Sequence, residues 1–317
     1  MKSSHLLHIG RGAGAFMRCL AISALFASLF AGTARAENIP PFDINMDQVE
    51  FNHKGDFADS KTYFIPTVYL RVMARTQTSI SSQGSSGASA KAKIFIDGLD
   101  KKLFQGLAKK VYDDLVAKIR AAGYTVLTYD DLKSEMTGME RMKANEKYGF
   151  PTKWSDGASG VDFAIVTPSD EQAFDYGFTG IMFGYRGIAK TKDVVVLVPD
   201  IHFSITEVAG STDSNIWGKS ASLAVLPPMR LYWAMVNALP PDASGGDIRI
   251  RQHGKRLAAE VAGTVKKVSE EGSDYAGWAR TTADYTFTLD PVAVSTGILR
   301  VGYAINDLTV KTIKDEH

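Results

Sequence analysis

The plainest periodicity in the chain lies between Lys101 and Ala122, where Leu103, Leu107, Val111, Leu115 and Ile119 stand four apart. Phe104, Ala108, Tyr112 and Val116 widen that stripe, and Lys102, Lys109, Lys110 and Asp113 keep the other side polar, so the pattern predicts an amphipathic helix. Gly123 follows where a left-handed C-terminal cap is expected, a backbone that a residue without Cβ adopts at little cost. Short apolar runs flank the helix, Ile94-Phe95-Ile96 before it and Tyr124-Thr-Val-Leu127 after it. The order strand, helix, strand predicts one βαβ unit and a partly parallel sheet.

Elsewhere both periods alternate. Tyr63 to Arg75 reads as a strand. Thr76 to Ala90, built almost wholly from Ser, Thr, Gln, Gly and Ala, holds too little apolar area to offset its ordering entropy and is expected to be a loop, the alternative being the tip of a long hairpin. Asp130 or Asp131 is expected to cap a second helix through Leu132, Met136, Met139 and Met142, stopped by Gly149 and Pro151. Strands are expected over Val161 to Val166, over Val194 to Val198 continuing through Ile201, Phe203 and Ile205, and over Ser220 to Leu226. Pro228 suits the first turn of a helix reaching Leu239, and Ile248-Arg-Ile250 leads into a helix carrying Leu257, Val261, Val265 and Val268 and closed by Gly272. The end returns to strand: Tyr285, Phe287 and Leu289 alternate with polar residues, followed by Ile298 to Ile305 and Leu308 to Ile313. The expected fold class is α+β with α/β elements: a mixed sheet containing at least one βαβ unit, helices packed on it, and a β-rich C-terminus.

The first 36 residues follow a different logic. Lys2, Arg11 and Arg18 form a basic lead-in, Cys19 to Gly32 is an apolar run, and Ala34-Arg35-Ala36 supplies a small-x-small cleavage site. A run that short cannot cross about 30 Å of hydrocarbon at roughly 1.5 Å per residue, so residues 1–36 are expected to be a cleaved secretory signal peptide. Residues 37–317 are then a mature α+β domain, with a division near 150–160 left open. No later stretch has the uninterrupted apolar length of a transmembrane helix. The absence of any Asn-x-Ser/Thr acceptor favours a bacterial periplasm over a eukaryotic secretory route.

Composition and charge narrow the picture further. With 45% hydrophobic and 22% charged residues, the chain of 317 is an ordinary globular sequence, which excludes disordered, collagen-like and disulfide-rich classes. Cleavage after Ala36 removes four of the 36 Lys and Arg and none of the 35 acids, leaving 32 against 35 and a net charge of −3. Such a surface gives no general reason to bind nucleic acid. The one Cys, Cys19, lies inside the leader, so the mature chain has no disulfide.

Motifs for chemistry are sparse. The mature chain keeps His53, His202, His253 and His317, with no pair at the spacing that puts two metal ligands on one helix face, and no metal site or cofactor is expected. His202 falls on the polar alternation of its strand, as a solvent-facing or hydrogen-bonded side chain would. Asp43, Asn45 and Asp47 imitate the start of a calcium loop, but Gln48 replaces the required Gly and Lys54 the bidentate Glu. Gly218-Lys219-Ser220 imitates the end of a phosphate loop whose first Gly is Asp213 here, and Gly157-Ala-Ser-Gly160 is one residue short of a serine elbow. Triads dispersed in sequence stay open, since geometry defines them. No catalytic residue is assigned.

Two stretches suggest contact surfaces. Tyr176, Phe178, Ile181, Met182, Phe183 and Tyr185, interleaved with glycines, read as an adaptable apolar loop or hairpin, and Trp233 sits in Met229 to Leu239, which is apolar around most of a helical circumference. Tyr176, Phe178, Met182, Phe183, Tyr185 and Trp233 are therefore the candidate contact residues. Lys101, Lys102, Lys109, Lys110, Lys118 and Arg120 give the first helix a basic face that suits an anionic lipid surface or an acidic partner, or a solvated face.

The order of strand Ile94 to Ile96, helix Leu103 to Ala122 and strand Tyr124 to Leu127, with Gly123-Tyr-Thr-Val and Asp130-Asp131 beyond, resembles the anticodon-binding-like α/β module. That module occurs in the curli-secretion channel subunit and in the N-terminal domain of the periplasmic translocation protein TolB. The resemblance implies an envelope assembly or transport part without catalytic residues. The expectation is a non-enzymatic periplasmic scaffold or oligomerising component working through a protein partner or self-association. Alternatives are a periplasmic carrier or sensor of a small apolar or lipid ligand, an envelope hydrolase, or a pore of amphipathic strands.

Overall fold

Thirteen residues, Tyr69–Ser81, form the strand around which the fold is organised. The computed structural model describes residues 39–317 apart from 82–87, 147–148, 156–159, 176–179, 216–217, 243, 252–260 and 276–277. Along them run β1 (Val49–Asn52), β2 (Thr62–Ile65), β3 (Tyr69–Ser81), β4 (Ala88–Asp97), helix α1 (Lys101–Ala121), β5 (Thr125–Thr128) and the single-turn helix α2 (Tyr129–Leu132). There follow β6 (Thr152–Ser155), β7 (Val161–Val166), α3 (Gly180–Lys192), β8 (Val195–Ser204), β9 (Glu207–Asn215), β10 (Gly218–Leu226) and β11 (Arg230–Leu239). The chain ends with β12 (Gly246–Ile250), β13 (Gly263–Tyr275), β14 (Trp278–Leu289) and α4 (Pro291–Glu316). Pro40–His317 make up one compact unit.

Among the described residues twelve strands join one mixed sheet, ordered β1-β12-β11-β8-β3-β4-β14-β13 along its main path, and β9 and β10 form a separate hairpin. Strands β2 and β3 are one run interrupted at Pro66–Val68. Parallel β8 pairs first with β2 at Tyr63 and Phe64, then with β3 from Tyr69 to Val72. Pro199 of β8 stands at the same gap, so two residues that cannot donate to a ladder occupy a place where the ladder is already broken. On their other side β2 carries parallel β5 and β3 carries antiparallel β7.

This half of the sheet is covered on both faces, which is why Tyr63 to Ile65, Val68 to Leu70 and Val194 to Val198 read as continuous apolar runs, and why they are buried throughout. On one face Phe64, Tyr69, Ile165, Val196 and Val198 pack with Tyr129, Leu132 and Met136 and with Tyr185, Ile188 and Ala189 of α3. On the other face Tyr63 reaches the end of α4, its hydroxyl 3.1 Å from His317 Nε2, and α4 packs along α1. Asp100 caps α1 by accepting from Leu103 N at 2.7 Å, and Gly123 closes it at φ +93°, the left-handed position that its lack of a Cβ permits.

Beyond Arg75 the sheet leaves the helices. Strand β3 pairs with β4 through Ser81, β4 runs parallel to β14, and β14 pairs antiparallel with β13. The β9–β10 hairpin packs against β4, β14 and β3. On β4 the side chains alternate, with Ala88, Ala90, Ala92, Ile94 and Ile96 buried. The α+β class with a mixed sheet is as the sequence predicts, and the C-terminal half, from β8 to β14, is rich in strands. Helix α1 does link β4 to β5 within the one sheet, although the parallel neighbour of β5 is β2.

Five local expectations are corrected. Most of Thr76 to Ala90 is strand in the antiparallel β3–β4 pair, the hairpin alternative and not the loop, and the β9–β10 hairpin covers its alternating small side chains, a partner that local composition does not reveal. Met229 to Leu239 is not a helix: from Arg230 on it is strand β11, which lies between β8 and β12, and Leu231, Ala234, Val236, Ala238 and Leu239 are buried. Val265 and Val268 belong to strand β13, while Leu257 lies outside the described residues. Ile298 to Ile305 and Leu308 to Ile313 are helix α4, begun by Asp290 as N-cap with Pro291 in the first turn; Val294, Ile298, Val301, Ile305 and Leu308 keep three- and four-residue spacing despite their β-branched bias. The second helix stops at Leu132, with Thr128 as its N-cap and Asp131 completing a capping box; Met136 stays buried from the turns beyond.

The approach of α4 to α1 depends on Gly302, where a Cβ would stand 2.5 Å from Val111 Cγ2 and 3.0 Å from Cγ1. Helix propensity alone favours Gly302→Ala by about 1 kcal/mol, whereas overpacking a closed core costs about 1–3 kcal/mol. Urea unfolding is therefore expected to show Gly302→Ala less stable than wild type, with Val111→Ala in the same chain recovering part of the loss.

Candidate functional site

Two charged residues interrupt apolar strands, Arg71 in β3 and Asp200 in β8. Parallel pairing sets Arg71 opposite His202, and strand alternation puts Asp200 on the same face two residues earlier. The Arg71 guanidinium grips the carboxylate at two points, Nε to Oδ1 at 2.7 Å and the second fork nitrogen to Oδ2 at 2.7 Å. Asp200 and Arg71 are 2% and 6% exposed, and His202 Nε2 lies 3.1 Å from Asp200 Oδ1. Burial by itself would raise the Asp200 pKa, but Arg71 and His202 outweigh it and hold the carboxyl well below the usual carboxylate range.

An aromatic collar surrounds His202. Trp233 of β11 is its cross-strand partner, with ring centroids 4.7 Å apart and edge to face, and Phe163 of β7 lies 5.5 Å away. The β11–β8 register shifts between Leu231 and Trp233, leaving Tyr232 as the extra residue; its ring sits 6.0 Å from Phe163 and it is 48% exposed. Such a shift re-aims side chains, here toward the histidine. The arrangement fixes an imidazole between a carboxylate and aromatic edges. Ser204, the hydroxyl next along that face of β8, donates to Thr206 O at 2.8 Å and is committed to the backbone.

The candidate contact residues separate in the structure. Tyr176 and Phe178 lie outside the described residues, as do the side chains of Met182 and Phe183, although the latter two fall in α3. Tyr185 is fully buried against Phe174, with ring centroids 6.5 Å apart, so it anchors α3 to the core and offers no contact surface. Trp233 is half-buried and joins the His202 collar. The basic face of α1 is largely paired: Lys101 with Asp170 at 2.8 Å, Lys109 with Asp113 at 2.8 Å, and Lys118 with Asp114 at 3.0 Å and Asp307 at 2.7 Å. His202 is on the polar alternation of its strand, as expected. Arg71 and Asp200 escaped sequence reasoning, though a single charge inside each of two apolar runs was a usable signal for a buried pair.

Asn45 caps the short turn Met46–Gln48 by accepting from Asp47 N at 3.1 Å. Among the described residues no group of three or more His, Cys, Asp or Glu is placed to hold a metal ion, and no helix is long and apolar enough to cross a membrane. Comparison of the chain with family models, with curated proteins and with solved structures gives no match.

Breaking the buried pair leaves a charge without its partner, at a cost of about 3–5 kcal/mol. Asp200→Asn is expected to lose stability of that order at pH 7 in urea unfolding, and a double replacement, Arg71→Met with Asp200→Leu, to recover most of it. Because the folded-state pKa of Asp200 is depressed, its contribution is complete above the unfolded carboxylate range and is lost as pH falls below it. The wild type should therefore weaken progressively from about pH 5 downward, more steeply than Asp200→Asn.

Proposed function

We propose that the mature chain is a non-enzymatic periplasmic protein that acts as a scaffold or self-associating component of a cell-envelope assembly or transport system. The observation that carries this reading is the arm of the sheet beyond Arg75, where β3, β4, β14 and β13 continue past the helix-covered core with the β9–β10 hairpin packed against them. Long hairpins built from small and hydroxyl side chains are suited to presenting backbone edges and wide surfaces to another protein. The buried cluster Arg71–Asp200–His202 supports the same reading: its carboxylate is gripped at two points by a guanidinium and kept ionised, a structural role. The leader of residues 1–36 supports export.

Size-exclusion chromatography with light scattering on protein purified from the periplasmic fraction tests the association. Assembly above the monomer, or a co-purifying envelope protein, is expected; a strict monomer with no partner counts against the proposal. Intact mass of the same material should correspond to a chain beginning at Glu37, and a full-length mass would overturn the export reading.

A further inference from the structure

The sheet ends on β13, and among the described residues its outer edge pairs with no strand. Lys266 to Gly272 are all exposed, and the register with β14 shifts between Lys267 and Ser269, leaving Val268 unpaired and 63% exposed. An open edge of this length invites pairing, and charges and bulges are the usual means of blocking it. Here the charges are arranged in a particular order: Lys266-Lys267-Val268-Ser269-Glu270-Glu271.

Laid antiparallel on a second copy of itself about a two-fold axis between Val268 and Ser269, this hexapeptide sets Lys266 against Glu271 and Lys267 against Glu270, twice over. The bulge sorts these pairs by face. Lys267 and Glu270 oppose Tyr285 and Ala283 of β14, which share one side of the sheet, and the two side chains meet at 2.5 Å within the chain; Lys266 and Glu271 oppose Thr286 and Thr282 on the other side. Each face of a self-paired edge would thus carry only opposite charges across the junction. The axis also falls within a residue of the middle of Gly263–Tyr275, so this register pairs almost the whole strand. An apolar or singly charged foreign strand gains none of that complementarity and must bury part of the charge row.

We infer that β13 is the surface through which two copies of this chain associate, edge to edge and antiparallel, joining their sheets across a two-fold axis. This rests on the self-association reading above and names its surface. The interface is isologous, so any substitution acts on both sides of it. It is also rich in exposed ion pairs, which makes association sensitive to salt.

Analytical ultracentrifugation of the purified mature protein, at low and high salt, tests the assignment with charge-exchanged variants. Lys266→Glu with Lys267→Glu turns the four opposed pairs into like-charge pairs and should weaken self-association about tenfold or more. Glu270→Lys with Glu271→Lys should do the same. An equimolar mixture of these two variants should regain association as a heterodimer, and a chain carrying all four exchanges should self-associate yet not mix with wild type. Urea unfolding checks that each variant keeps the fold. If the wild type associates and the exchanges leave it unchanged, the β13 assignment is overturned while the scaffold reading stands on another surface. If the wild type is monomeric but captures a different envelope protein, the assignment again fails alone; a monomer with no partner removes both.

Discussion

A two-point ion pair between Arg71 and Asp200 fastens the two central strands of the sheet at the place where their pairing changes. Just before it the ladder is interrupted at Pro66–Val68, and just after it β3 begins to leave its helical cover. Hydrophobic burial alone would hold these strands in contact without choosing between registers, since their flanking residues are interchangeable aliphatics. One buried charge on each strand removes that freedom: a slip by one residue turns Asp200 to the opposite face and leaves Arg71 uncompensated in a dry interior. His202 and its collar of Phe163, Tyr232 and Trp233 then occupy fixed places because the strands beneath them do.

From that junction the sheet follows two building rules. In the covered half, β2, the start of β3, and β8 bury both faces, and large side chains fill the space between helices on either side. In the arm, alanines line the buried side of β4 from Ala88 to Ala92, and a second layer of strands takes the place of a helix. Small side chains let two sheets approach closely but contribute little burial each, so the arm owes its order mainly to backbone pairing between strands. Its last strand, β13, ends the sheet with an edge that carries charges of both signs.

Much of the covered half was legible in the sequence, and most of the arm was not. Helix α1 announced itself through a nine-residue stripe and a closing glycine, because an amphipathic helix is written locally. The β8 strand was equally plain from Val194 to Ile205. Met229 to Leu239 and Ile298 to Ile305 were exchanged, strand for helix and helix for strand, for one reason: a segment buried on most sides loses the polar positions that reveal its period. The arm was hidden because its strands satisfy one another across long separations, and a Ser/Thr/Gly composition reads as loop until the covering hairpin is known. At the candidate site, His202 was visible through its alternation, whereas the pairing that gives it meaning joins Arg71 to a residue far along the chain.

The parallel ladder between β4 and β14 brings together residues from near the start and near the end of the chain. Synthesis delivers a polypeptide from its N-terminus, so β3 and β4 emerge long before the strand that completes them. Until β14 arrives, an alanine-rich hairpin waits with its free side uncovered in a crowded compartment. Contacts this distant in sequence slow closure and prolong that vulnerable interval. The architecture thus makes the arm one of the last parts of the molecule to close, whatever the order in which the covered half assembles.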